Sequence, residues 1–255
     1  MVDSQCVDSR SMKKITSVIL AGGYGTRVKH LLPNVPKPMV SVANKPFLEW
    51  ILRYLKSQGI TQNILSTGYL SEVIEEYFQN RPVSDIEVYC CQEKQPLGTA
   101  GGFLNGVEQT NISSDAWLVM NGDSLIVAQF NKMISYLDNY KVDGVVLGVS
   151  VEDTSRYGSL VIDKSGNLVS FTEKNQGTGI INGGVYLFRH QILTKFPSRL
   201  PLSFEYDVFP ELLKKKKLIK VHQIKAPFLD IGTPETLPKA EAFILENFSQ
   251  LLNPC

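Results

Sequence analysis

The run Ile15 to Leu20 is short, rich in β-branched residues and largely apolar, with Ile on one face and Val and Leu on the other, and it stops at the glycines Gly22, Gly23 and Gly25. A strand that is apolar on both faces must be covered on both faces, and a parallel sheet between helices does this. The following segments keep to that plan. Pro46 opens a helix with Phe47, Ile51 and Leu55 on one face, and Gly59 ends it. Ile64 to Thr67 reads as a second strand, and Leu70, Val73, Ile74 and Tyr77 mark an amphipathic helix. Ile86 to Cys91 and Ala116 to Met120 read as the third and fourth strands. A helix carrying Phe130, Met133, Ile134 and Leu137 then leads to a strand at Gly144 to Val149. Strand and helix alternate, which predicts an α/β chain of Rossmann-like three-layer form. Its central sheet is mixed but largely parallel, with helices on both faces.

The texture changes after Ser150. Ser159 to Ile162 and Leu168 to Thr172 flank an Asp-Lys-Ser-Gly-Asn turn and read as a hairpin. Val185 to Phe188, Ile219 to His222 and Phe228 to Leu229 are further strands. Leu237, Ala240, Ile244 and Phe248 would form the inward face of a closing helix entered through Thr233-Pro234. Lys214 to Lys217 follow Leu212-Leu213 and read as a solvated helix end, where positive charge suits the dipole. No linker or repeat interrupts the chain. Residues 14–250 therefore read as one domain, with halves at about 14–125 and 126–250, preceded by a flexible extension at 1–13.

A net charge of +1 argues against nucleic acid or an anionic membrane as a bulk electrostatic partner. An apolar fraction of 43% is that of an ordinary folded chain. Cys6, Cys90, Cys91 and Cys255 show no CxxC spacing, and His30, His190 and His222 are scattered, so neither a zinc site nor a disulfide framework is suggested. The polar N-terminus lacks the apolar core of a signal peptide, and no apolar stretch approaches the ~20 residues of a membrane span. Reduced thiols and a cytoplasmic location fit this pattern.

The chemistry concentrates in Leu20-Ala21-Gly22-Gly23-Tyr24-Gly25-Thr26-Arg27, with Pro36-Lys37-Pro38 just beyond. Glycines after a buried first strand let backbone N–H groups approach phosphate oxygens without a Cβ in the way. Arg27 offers a planar donor fork to leaving β- and γ-phosphates, and Lys37 a second positive charge near an α-phosphate. A dinucleotide fingerprint is a poorer match, because Val28 stands where its third glycine belongs; a Walker A loop lacks its Gly-Lys-Ser/Thr. A plain glycine-rich turn remains the bland alternative. Pro96-Leu97-Gly98-Thr99-Ala100-Gly101-Gly102 leaves room for a flat base and ribose, yet taken alone it is equally a turn and a helix N-terminus. Asp123 ends an apolar strand, and ligands bind at the carboxyl ends of strands in open α/β sheets. Asp230 ends another strand, although alone it would serve as a turn cap. Two carboxylates with triphosphate oxygens and water suit Mg²⁺.

The GGYGTR and PKPM segments resemble the signature of the sugar-1-phosphate nucleotidylyltransferases. The spacing in RVKHLLPNVPKPMVSVANKPFLEW is most similar to the bacterial heptose-1-phosphate and mannose-1-phosphate guanylyltransferases, and the resemblance runs from about residue 14 to 247. It implies a nucleotidyltransferase fold, a nucleoside triphosphate (GTP) and a sugar 1-phosphate as substrates, and Mg²⁺ as cofactor. By resemblance, Leu20 to Gly23, Gly25 and Thr26 meet the nucleotide, as do Pro96, Gly98 and Thr99, and the PLGTAGG loop reads the base. Glu93 is a candidate acceptor for guanine N1–H and N2, although a solvated glutamate at a strand end is the plainer interpretation. Asp123 and Asp230 hold the metal; Arg27, Lys37 and Asp123 are catalytic.

On the sugar side the resemblance assigns Tyr157 and Gly158, Glu173 as hydroxyl acceptor, Lys174 as phosphate ligand, and Asn182, which can both donate to and accept from a diol. Asn175 stands where many relatives carry proline. The chain stops at Cys255, so no C-terminal β-helix is expected, and it is compatible with a homo-oligomer. Rival expectations are CTP, UTP or dTTP as donor, a non-sugar acceptor such as phosphocholine, or an inactive regulatory homologue. The last should have lost Arg27, Lys37 or a carboxylate, and all are present.

Overall fold

The computed structural model describes residues 14–139, 141–172 and 177–252. The expected extension at 1–13, Glu173, Lys174, Cys6 and Cys255 lie outside the described residues.

The first half runs β1 (Ile15–Ala21), a small ribbon of β2 (Ser41–Val42) and β3 (Lys45–Pro46), α1 (Phe47–Ser57), β4 (Gln62–Thr67), α2 (Ser71–Asn80), β5 (Glu87–Gln92), α3 (Thr99–Thr110), β6 (Ala116–Asn121) and β7 (Ser124–Ile126). The second half continues with α4 (Phe130–Tyr136), β8 (Gly144–Val151), β9 (Ser159–Ile162), β10 (Leu168–Thr172), β11 (Gly179–Arg189), α5 (Phe209–Lys214), β12 (Ile219–Ile224), β13 (Phe228–Asp230), α6 (Ala240–Glu246) and α7 (Phe248–Leu252). Among the described residues nine strands form one sheet, in which β5, β4, β1 and β6 are parallel neighbours. β11 runs antiparallel to β6 on one side and β8 on the other, and β12 lies parallel to β8.

Alternation along each strand divides the core between the two faces. Ile19, Leu65, Leu118, Met120, Leu147 and Leu187 point to the side covered by α1, α4 and α6. Val18, Ile64, Trp117, Val119, Tyr186 and Phe188 point to the side covered by α3 and α5. This is the three-layer arrangement expected from the sequence, because a strand with side-chain period two feeds both layers at once. The second layer is aromatic: Phe188 stacks on Phe204 with centroids 5.6 Å apart and planes at 11°.

Two expectations need correction. β11 spans eleven residues rather than the four of Val185 to Phe188. It carries a bulge between Asn182 and Tyr186, where Asn182 faces Gly148 but Tyr186 faces Val146. Gly183 and Gly184 break the apolar pattern that marks a strand in sequence. The closing helix is also not continuous. A 3₁₀ turn at Leu237–Lys239 precedes α6, and Asn247 separates α6 from α7. Ala240 and Ile244 are buried as expected, but Leu237 is only half-buried and Phe248 is exposed, edge-on to Trp50.

Candidate active site

The carboxyl ends of β1, β4 and β6 converge, and small residues let them do so. A Cβ at Gly68 would lie 2.7 Å from the Gly22 carbonyl, and the Gly122 amide donates to the Leu20 carbonyl at 2.9 Å. The result is a cleft of about 350 Å³ at the edge where α/β sheets bind ligands. Leu20, Ala21, Gly22, Gly23, Glu93, Pro96, Gly98 and Thr99 line it together with Lys37 and Asp123. Tyr24, Pro38 and Asn121 line it as well, and the sequence reading did not single them out as site residues. Gly25, Thr26 and Arg27 do not. They form a turn closed by Val28 N–H donating to the Gly25 carbonyl at 2.9 Å, with Thr26 and Arg27 exposed at its centre. Gly25 still abuts the site, since a Cβ there would sit 3.3 Å from Lys37 Cβ.

Glu93 is not a solvated glutamate at a strand end. Its Oε1 accepts from Ser66 Oγ at 2.9 Å, and its Oε2 accepts from the Leu97 amide at 3.0 Å. It therefore clamps the loop after β5. On the far side, that loop is held by the segment around Leu202, whose carbonyl accepts from the amides of Ala100 (2.9 Å) and Gly101 (3.1 Å). Those two donors at the start of α3 are thus already used by the chain itself. Gly98 lies between clamp and strap with φ +79° and ψ 168°, a region essentially reserved for glycine.

Asp123 and Asp230 are far apart in sequence and meet through a short antiparallel ribbon. β7 pairs with β13, placing Asp230 opposite Ser124, and Ile231 N–H donates to the Asp123 carbonyl at 2.9 Å. Asp123 forms an ion pair with Lys37. Asp230 accepts from the Gly232 amide at 2.6 Å. Its carboxyl is pushed above the usual range by burial first and by the Asp123 charge second, while Gly232, Lys37 and Arg156 pull the other way. Asp230 thus feels the Asp123 charge, and Lys37 is the ion-pair partner of Asp123.

Beyond Gly184 lies a second cavity, of about 800 Å³. The bulge in β11 joins the two. Gly184 has φ +68°, and a Cβ on it would lie 2.4 Å from Asn121 Nδ2, at the edge of the first cleft. Its amide donates to Asn182 Oδ1 at 3.0 Å, in the wall of the second. Tyr157, Gly158 and Asn182 line this cavity, as does Thr172, the last described residue before Glu173. Burial pushes the Tyr157 hydroxyl up, and Asp230 adds to it. Glu205 lines the same wall. The one sequence signal that could have found it is Tyr186, a tyrosine in a buried apolar strand whose hydroxyl needs a partner.

The nucleotidyl transferase family model matches residues 16–247. The chain belongs to that family. This nucleotidyltransferase is 36% identical over 226 residues to the D-glycero-alpha-D-manno-heptose 1-phosphate guanylyltransferase of Aneurinibacillus thermoaerophilus, covering 88% of the chain and 96% of that enzyme. It is 31% identical to the mannose-1-phosphate guanylyltransferase catalytic subunit beta of Xenopus tropicalis, over 92% of the chain and 66% of that protein. The crystal structure of HddC from Yersinia pseudotuberculosis complexed with GMP-PN superposes with a TM-score of 0.77 at 38% identity, covering 89% of this chain and 98% of that one. No helix among the described residues is long and apolar enough to cross a membrane.

Proposed function

We propose that this nucleotidyltransferase transfers GMP from GTP to a manno-configured sugar 1-phosphate, a heptose first and mannose second, with release of pyrophosphate. The observation that carries this is a pair of cavities on either side of the β11 bulge at Gly184, with Asp123 in the wall of the first. A glycine-lined cleft at the strand ends suits a nucleotide, and the larger cavity beyond Gly184 suits a polyol phosphate. Similarity to guanylyltransferases over nearly their whole length supports the choice of base and sugar.

In this scheme the backbone of Leu20 to Thr26 receives the triphosphate. Arg27, on its exposed turn, is free to close over the β- and γ-phosphates, and Lys37 lies beside the α-phosphate. Glu93 holds the Pro96–Gly98 loop and keeps spare acceptor sites for the N1–H and N2 donors of guanine. Tyr157, Gly158 and Asn182 meet the sugar. Glu173 and Lys174, following Thr172, complete that side through a hydroxyl and the phosphate. An oxygen of the sugar phosphate is already anionic, so in-line attack on the α-phosphorus needs no general base. Positioning and charge neutralisation by Arg27, Lys37 and Lys174 provide the catalysis.

Asp123 and Asp230 fit Mg²⁺. They are hard oxygen donors brought together by the β7–β13 ribbon, and burial first and the Asp123 charge second raise the Asp230 carboxyl. When bound, the ion would supply charge neutralisation at the phosphates. Turnover measured by pyrophosphate release with GTP, CTP, UTP, dTTP and ATP at matched concentrations tests the base. GTP should dominate by orders of magnitude, because a buried donor or acceptor left unpaired by the wrong base is costly. A tenfold lead for CTP or UTP would remove the guanylyl assignment and leave the reaction class standing.

A further inference from the structure

Glu205 sits on a π-helical turn, Phe204–Val208, that runs directly into α5. Such turns are rare and recur at functional sites, because the wider winding re-aims side chains. The neighbours of Glu205 fix its place. Phe204 is packed between Phe188 and Tyr186 in the aromatic layer, with centroids 5.6 and 5.0 Å away. Glu205 Oε1 accepts from Tyr186 Oη at 2.7 Å and from Asn182 Nδ2 at 3.4 Å, and Oε2 accepts from Ser203 Oγ at 2.9 Å.

The same contacts decide what Asn182 can still do. The Gly184 N–H can only donate, so it fixes Oδ1 toward the backbone and turns Nδ2 toward Tyr186 Oη (2.7 Å) and Glu205. Both N–H groups of Asn182 are then engaged. What remains on this wall is acceptor capacity: one lone pair on Asn182 Oδ1, and roughly one of the four acceptor sites of the Glu205 carboxylate. A surface of adjacent acceptors, one of them a carboxylate, recognises adjacent donors. Vicinal hydroxyls of a sugar ring satisfy both acceptors; a quaternary ammonium, which has no N–H, can pair with the carboxylate charge but leaves both hydrogen bonds unmade.

Resting on the sugar 1-phosphate assignment above, we propose that Glu205 is a specificity-determining residue of the acceptor pocket. It accepts a hydrogen bond from a ring hydroxyl of the sugar and holds Asn182 so that its Oδ1 accepts from the neighbouring one. The residue contributes to sugar affinity and choice, and the nucleotide does not feel it.

The test pairs Glu205→Gln with mono-deoxy analogues of the sugar 1-phosphate that the wild type uses best, and follows pyrophosphate release. In the wild type, the analogue lacking the contacted hydroxyl should lose about ten- to a hundredfold in kcat/KM, as expected for a hydrogen bond to a charged group. Glu205→Gln should raise the sugar-phosphate KM about tenfold or more, leave the nucleotide KM within about twofold, and remove most of the penalty for that one analogue. A merely structural role would not produce coupling to a single hydroxyl. Penalties below about twofold for every deoxy analogue in the wild type overturn the proposal even if the variant does not fold. So does a folded Glu205→Gln enzyme with unchanged sugar KM, or with both substrates weakened equally. A wild type that releases no pyrophosphate with any sugar 1-phosphate overturns the reaction assignment, and the role of Glu205 with it.

Discussion

Adding one methyl group at Gly98 should loosen the loop that frames the first cleft. With φ +79° and ψ 168°, Gly98 occupies a backbone region that costs a residue with a Cβ about 1–3 kcal/mol. The new Cβ would also lie 2.5 Å from the Leu202 carbonyl oxygen and 2.9 Å from its amide nitrogen, both backbone atoms that cannot rotate away. Relief requires Leu202 to move. That weakens three hydrogen bonds: Ala100 N–H and Gly101 N–H to the Leu202 carbonyl, and Leu202 N–H to the Leu97 carbonyl. Each is worth about 0.5–1.5 kcal/mol net. Gly98→Ala should therefore cost roughly 3–5 kcal/mol, summing backbone strain and partial loss of these bonds. Gly166→Ala is the control. Gly166 has φ +76° in the hairpin turn with nothing within 4 Å of a new Cβ, so only the ~1–2 kcal/mol of left-handed backbone applies. Urea unfolding of the two variants, with unchanged slopes against denaturant, reads the difference directly. Equal losses would refute the strap between Leu202 and the start of α3. Because Pro96, Gly98 and Thr99 line the cleft, Gly98→Ala should also raise the nucleotide KM.

Other perturbations probe separate parts of the molecule. Asp123→Ala and Asp230→Ala should each lower Mg²⁺-dependent turnover by at least ~10²-fold while circular dichroism stays unchanged; near-normal rates at saturating Mg²⁺ in either would remove the two-carboxylate site. Lys174→Ala should raise the sugar-phosphate KM far more than the nucleotide KM, and equal effects in steady-state kinetics would mean that the phosphate ligands are divided differently. His222 is buried on β12, and burial first and Lys132 second lower its pKa below the usual 6.5. From about pH 6.5 downward the unfolded chain takes up a proton that the native state refuses, so stability falls as pH falls through that window. His222→Gln should lose less of its urea midpoint between pH 7.5 and 5.5 than the wild type, and parallel losses would contradict the assignment.

The parts of this molecule legible in its sequence are those governed by periodicity and by steric permission. β1, β4, β6 and β8 were readable because each supplies apolar side chains to both layers, a pattern that survives without knowledge of neighbours. The cleft was readable for a related reason: glycine at 22 and 98 marks where backbone must approach something closely, Glu93 in one case and Leu202 in the other. What escaped was set by partners distant in the chain. β7, of three residues, is too short to show a period, yet its pairing with β13 is what sets Asp123 beside Asp230. Glu205 lies in Phe-Glu-Tyr-Asp-Val, where neither helix nor strand pattern distinguishes it, and its role follows only once Tyr186 and Asn182 converge on it. Asn182 shows the same logic in reverse. Its chemistry as a free side chain promised both donor and acceptor, and the bulge at Gly183-Gly184 left it mainly the second. Local chemistry proposes which residues belong to a site, and the hydrogen-bond ledger of the folded state decides what each has left to offer a substrate.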